Sequence, residues 1–251
     1  MITTLNQILK YVNYICVKEN SGSSLKPDQI NTIFPASNTS MFNKKVQEAQ
    51  VFSIQFKIPF NKALYEHAAL REFHVMENIS FTTGIFNITT LLNSYAYWLS
   101  MVTLYNGYYR EIEILTDKDL ADRRTNLLAK QLSEYPGAMV LGNTIKVYPN
   151  NITSAEFVFM KNPVRPVYDY YIDANFNQIY LAAGATHLLA AGEFGSLGQT
   201  SGQTVTSATV ELDWNELYVV EFCNEVLSRV GQNLKDEQIK AYIREVEGKQ
   251  P

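Results

Sequence analysis

The sequence predicts an α+β protein: a helical portion built from both chain ends, with a β-rich insertion between them. Three observations predict this. Apolar residues recur at helical spacing near the start (Leu5, Ile8, Leu9, Val12, Ile15, Cys16) and again near the end (Val219, Val220, Cys223, Val226, Leu227, Val230). Between Phe73 and Thr209 the pattern changes to short aromatic and β-branched runs broken by frequent turn residues. Within that stretch Asn106-Gly107 separates Tyr97–Tyr105 from Tyr108–Leu115, the strongest short-range signal for a two-residue hairpin.

The first helix should run from Thr3 or Thr4 to about Glu19 and end at Ser21-Gly22-Ser-Ser24. Pro27 suits the start of a second helix, where its missing N–H costs nothing. Ile30, Ile33 and Phe34 continue an apolar face until Pro35 interrupts it, and Thr39–Gln50 resumes the helix. Val51–Ile58 alternates like a strand that Pro59 stops, and Lys62–Arg71 has the composition of a short helix. After the Asn106-Gly107 hairpin, Thr116 and Asp119 approximate a capping box opening a helix over Thr116–Leu132. Tyr135-Pro136-Gly137 leads to a second hairpin, Ala138–Leu141 and Thr144–Tyr148, around Gly142-Asn143, then a strand over Ala155–Met160.

The stretch 182–206 reads as a long flexible loop or arm, because Gly184, Gly192, Gly195, Gly198 and Gly202 are scattered among small polar residues. Leu188, Leu189, Phe194 and Leu197 interrupt it with apolar side chains that a solvated linker avoids. They are candidate inter-subunit contacts. A short strand over Thr209–Leu212 precedes a helix with Asp213 as N-cap and Gly231 as stop, and Lys235–Glu247 forms a last helix. Three parts follow: 1–72 helical, 73–212 β-rich, and 213–251 helical, with the two helical parts packed together.

Composition narrows the function classes. A net charge of −4 argues against a general nucleic-acid binder, which needs clustered Lys and Arg. Sixteen tyrosines and 13 phenylalanines suit either a sheet-rich core or surfaces that become buried against a partner. Cys16 and Cys223 both fall in apolar helical stretches and read as buried free thiols. Neither a signal peptide nor a membrane span is legible, so the chain is expected to be made in a cytoplasm and to stay off membranes.

No constellation of residues suggests catalysis, a cofactor or a metal. His67 and His74 are too far apart for a zinc helix, and His187 has no Cys or carboxylate pair beside it in sequence. Glu111 and Glu113 share a strand face without a nameable opposing group. Gly192–Gly198 lacks the Lys-Ser/Thr ending of a phosphate loop. Asn78, Asn87 and Asn151 start sequon-like triplets that read as chance matches. Arg110, Arg123 and Arg124 could form a basic strip, but Asp117, Asp119 and Asp122 would surround it, which favours ion pairing within or between subunits.

Four stretches occur in an order that resembles structural proteins of crAss-like tailed phages: Leu25–Glu48, Phe52–Phe60, Tyr109–Pro166 and Glu211–Tyr242. Within them stand Arg110-Glu-Ile-Glu-Ile-Leu-Thr116, Leu120-Ala-Asp-Arg123, Ile145-Lys-Val-Tyr-Pro149, Lys161-Asn-Pro-Val-Arg-Pro166, Glu211-Leu-Asp-Trp214 and Asn233-Leu-Lys-Asp236. Together they cover about half the chain and omit 182–206. The resemblance implies a virion protein at the head–tail junction: a subunit of a connector ring, twelvefold like the portal above it, forming part of the DNA conduit. It implies partners in the chain itself, the portal and neighbouring tail proteins, with DNA passing through the channel without specific binding, and no catalytic residue. An acidic chain fits a channel that must not hold DNA tightly. The alternatives are a tail-tube or baseplate-proximal protein, a DNA-packaging accessory protein and, third, a cell-wall hydrolase.

Overall fold

A computed structural model describes residues 4–18, 25–125 and 134–234. Helix α1 spans Leu5–Lys18. Thr4 opens it reciprocally: its Oγ1 accepts the Gln7 N–H at 3.4 Å while Gln7 Oε1 accepts the Thr4 N–H at 3.0 Å. Helix α2 spans Pro27–Phe56 without a break, so Pro35 does not interrupt it. An interior proline costs about 3 kcal/mol. Burial of Ile30, Phe34, Met41 and Phe42 along the same helix, at about 1.5–3 kcal/mol each, outweighs it. The strand expected over Val51–Ile58 is instead the end of α2. Lys57 turns left-handed (φ 53°) and the Ile58 N–H reaches back to the Ser53 carbonyl at 3.1 Å, closing a Schellman-type cap. An alternation this short, Phe52–Ile58, fits either period, and the helix satisfies its backbone without a strand partner.

Helix α3 is Phe60–Glu66, and a 3₁₀ turn follows over Ala68–Phe73, so the helix expected over Lys62–Arg71 is split at extended His67. Strands β1 (His74–Ser80), β2 (Ile85–Asn87), β3 (Tyr95–Tyr105), β4 (Tyr108–Glu111) and β5 (Glu113–Ile114) come next. Tyr105 pairs with Tyr108, and Asn106 and Gly107 both take positive φ, as the hairpin signal requires. Helix α4 is Asp117–Thr125; Asp119 accepts the Thr116 N–H at 3.0 Å and Thr116 Oγ1 accepts the Asp119 N–H at 3.2 Å, forming the capping box. The rest of the helix expected to Leu132 lies outside the described residues. Strands β6 (Gly137–Leu141) and β7 (Thr144–Tyr148) form the second hairpin, and β8 is Ser154–Lys161. Short strands β9 (Tyr170–Ile172), β10 (Gln178–Tyr180), β11 (Thr186–Leu188), β12 (Phe194–Gly195) and β13 (Thr204–Thr206) follow. Val210 makes a bridge to Val167 rather than a strand.

A 3₁₀ turn over Glu216–Tyr218, capped by Asn215 rather than Asp213, leads into α5, Val219–Leu234. Gly231 does not stop α5, which continues one turn further. The helix expected over Lys235–Glu247 lies outside the described residues. The chain is α+β, with helices at both ends and a β-rich centre.

Compactness divides the chain into two units: Met1–Gln47 with Pro163–Pro251, and Glu48–Asn162. These boundaries differ from the compositional ones at 72/73 and 212/213. The late strands β9–β13 belong with the terminal helices.

In the second unit two four-stranded sheets, ordered β1-β8-β3-β4 and β2-β7-β6-β5, share one core. Ile79, Trp98, Met101, Phe157 and Phe159 from the first sheet meet Ala138, Ile145 and Val147 from the second. In the first unit α1 packs on α5, as their matching stripes require. Phe222, Cys223, Val226, Leu227 and Val230 are buried, and burial pushes the Cys223 thiol up to about 12. The Cys16 side chain lies outside the described residues. The Phe34 ring meets Phe222 edge-on from α2.

Lys44 and Lys45 of α2 pair with Glu225 (2.5 Å) and Glu221 (2.7 Å) of α5. Burial opposes ionisation of Glu225, but hydrogen bonds from Lys44 and Ser40 prevail and hold its carboxyl below the usual 4.5. A depressed folded value means that the stabilisation is complete above 4.5 and disappears as pH falls through the folded pKa. Glu225→Gln is therefore expected to lower the melting temperature at neutral pH, by an amount that shrinks as melts are run at successively more acidic pH.

Candidate functional site

The 182–206 stretch, expected to be a flexible loop, is a folded β module. Strands β11 and β13 pair antiparallel, β12 joins β9, and the Leu189 and Gly202 backbones bond Gln203 and Leu189 at 3.0 and 2.8 Å. Leu181, Leu189 and Val205 form its small core, with Tyr171 against it. Gly198 and Gly202 take positive φ at its tight turns, so they serve turn geometry rather than mobility. Asp169, itself buried, ties the module down: Oδ1 accepts the Ser196 hydroxyl at 2.6 Å and Oδ2 the Ala208 N–H at 2.9 Å. Of the four candidate contacts, Leu189 is therefore buried within its own chain. Leu188, Phe194 and Leu197 remain exposed at 64, 43 and 82 %.

The fold also supplies His187 with a carboxylate. Its Nε2 lies 2.8 Å from Glu193 Oε2, and its ring stacks on Tyr171 at 4.0 Å. The Ala190 N–H and then His187 hold the Glu193 carboxyl below its usual range. That carboxylate sits inside Gly192–Gly198, where it would repel a phosphate. Asp169→Ala is expected to abolish slow amide exchange at Thr186–Leu188 and Thr204–Thr206 in the free chain while sparing α5. Hydrogen exchange read by mass spectrometry checks this.

In the second unit the histidines stay apart. His67 Nε2 lies 3.4 Å from Glu48, while His74 stacks on Tyr65 and burial lowers its pKa. Among the described residues no group of three His, Cys, Asp or Glu could hold a metal ion. The three arginines do not form a strip. Arg123 pairs with Glu113 and donates to the Tyr135 carbonyl at 3.2 Å, Arg124 lies over the Tyr148 ring, and Arg110 over Tyr108. Glu111 and Glu113 both line an open cleft of about 660 Å³ with Phe60, Tyr97 and Trp98. Aromatic walls beside carboxylates suit aromatic or cationic side chains of a polypeptide.

Surface apolar side chains gather on this same unit. Leu104 of β3 and Tyr109 of β4 are register partners, 64 and 75 % exposed. Val51, Phe52, Ile54 and Phe56 are exposed at the end of α2, where the two phenylalanine rings meet at a tilt, 4.5 Å between centroids. Sequence reading found the aromatic excess but not its placement. It missed Asp169 and the cleft, because neither carries a local motif.

No family model matches the chain, and no curated protein matches it in sequence. No helix among the described residues is long and apolar enough to cross a membrane.

Proposed function

We propose that the chain is a virion structural protein: a subunit of a head–tail connector ring that joins portal to tail and forms part of the DNA conduit. The collinear motifs give the family reading. The observation that carries it in the structure is the exposed Leu104–Tyr109 pair on the β3–β4 hairpin. Large apolar side chains in cross-strand register are costly in water and typical of surfaces that another subunit covers. Leu188, Phe194 and Leu197 add exposed apolar side chains on the first unit.

On this reading the protein works by assembly rather than turnover. The purified chain, imaged alone and after mixing with portal rings, should form closed rings of the portal's symmetry. Monomers under both conditions would overturn the proposal, as would turnover of peptidoglycan or nucleic acid abolished by a point mutation.

A further inference from the structure

The sheet ordered β1-β8-β3-β4 is antiparallel throughout and has two open edges. Among the described residues no backbone hydrogen bond reaches the outer side of β1 or β4. The Ile112 N–H bonds inward to Met101 at 2.8 Å, so by alternation Tyr109 and Glu111 turn their backbone groups outward from β4. The Phe81 N–H bonds inward to Thr153 at 2.8 Å, so Met76 and Asn78 do the same from β1.

With four alternating strands, the two edge strands run in opposite directions. A copy of β4 laid beside the β1 of another copy is therefore antiparallel and continues the alternation. The faces also agree. Arg110 stands opposite Thr103, on the side of Met101 and Tyr105, which contribute to the core; Glu77 stands between Val75 and Ile79 on the core side of β1. Joining the edges places cation and carboxylate on one face, and exposed Tyr109 and Met76 on the other.

We propose that neighbouring copies join by strand addition, β4 of one copy pairing antiparallel with β1 of the next, Arg110 opposite Glu77 and Tyr109 opposite Asn78. The contact is head-to-tail, so the same two edges repeat from copy to copy and generate a ring when the rotation closes. The proposal rests on the ring reading and names the contact that builds the ring.

Two variants test it. Tyr109→Pro removes one outward N–H from an edge strand, where proline is tolerated, and should leave the melting temperature unchanged. Ring yield at fixed concentration should fall by about tenfold or more. In a Cys16→Ala background, Asn78→Cys with Tyr109→Cys should give a ladder of disulfide-linked multimers on oxidation, and neither single variant should. Directly opposed residues have Cα atoms about 5.5 Å apart, within disulfide range. Rings that persist in Tyr109→Pro, with no ladder in the double variant, overturn the strand pairing and leave the ring reading standing. A ladder from open filaments supports the pairing and overturns the ring. Should Tyr109→Pro lower the melting temperature, the ladder alone decides.

Discussion

Val226→Asp is expected to unfold the helical packing of the first unit. Val226 is fully buried on the face of α5 that carries Phe222, Cys223 and Val230, in the helix on which α1 packs. An aspartate there must either ionise without a partner or stay protonated above its normal pKa, and it also loses the valine's packing. The combined cost is about 3–5 kcal/mol, a large part of the 5–15 kcal/mol that stabilises a typical domain. Thermal melts followed by circular dichroism should show a fall of many degrees or no cooperative transition. Val226→Ala, which only removes methyl groups, should cost about 2 kcal/mol. An unchanged melting temperature for Val226→Asp would refute the α1–α5 packing.

Asn38→Ala is expected to be nearly as damaging, although it removes only a small polar group. Asn38 is buried on α2, and its amide serves two elements at once. Oδ1 accepts the Trp214 indole N–H at 2.6 Å, and Nδ2 donates to the Val164 carbonyl at 2.7 Å. Alanine removes both bonds, to a buried indole N–H and to a partly buried carbonyl, each costing about 1–3 kcal/mol. Chemical denaturation should show a loss of about 2–5 kcal/mol with an unchanged m-value. Asn38→Asp separates the two bonds, since it keeps an acceptor for Trp214 and loses the donor to Val164. It should restore the indole environment, read as tryptophan emission, more than the stability. Equal stability of Asn38→Ala and the parent would show that neither bond matters.

Neither residue's role is written locally. Val226 stands in a stripe that any reader of helical periodicity finds, yet the stripe does not say which surface covers it. Asn38 looks like an ordinary polar residue in a helix, because its partners lie 126 and 176 positions away. Asp169 is similar: a lone aspartate in a tyrosine-rich run, until the fold brings Ser196 and Ala208 to it.

By itself the sequence determined what short-range chemistry controls: the α+β class, the amphipathic stripes of α1 and α5, the two hairpins and the Thr116–Asp119 cap. Each depends on groups within a few residues of one another, so side-chain period and allowed φ suffice. Only the tertiary structure decided the rest. It carried α2 through Pro35 and on to Phe56, because burial elsewhere on the helix exceeds what one proline costs. It turned 182–206 from an apparent arm into a β module, because Asp169, Tyr171 and Leu181 supply bonds and apolar cover from outside the segment. It also set β1 and β4 at opposite edges of one sheet, since strand order is a matter of long-range pairing that no local pattern encodes.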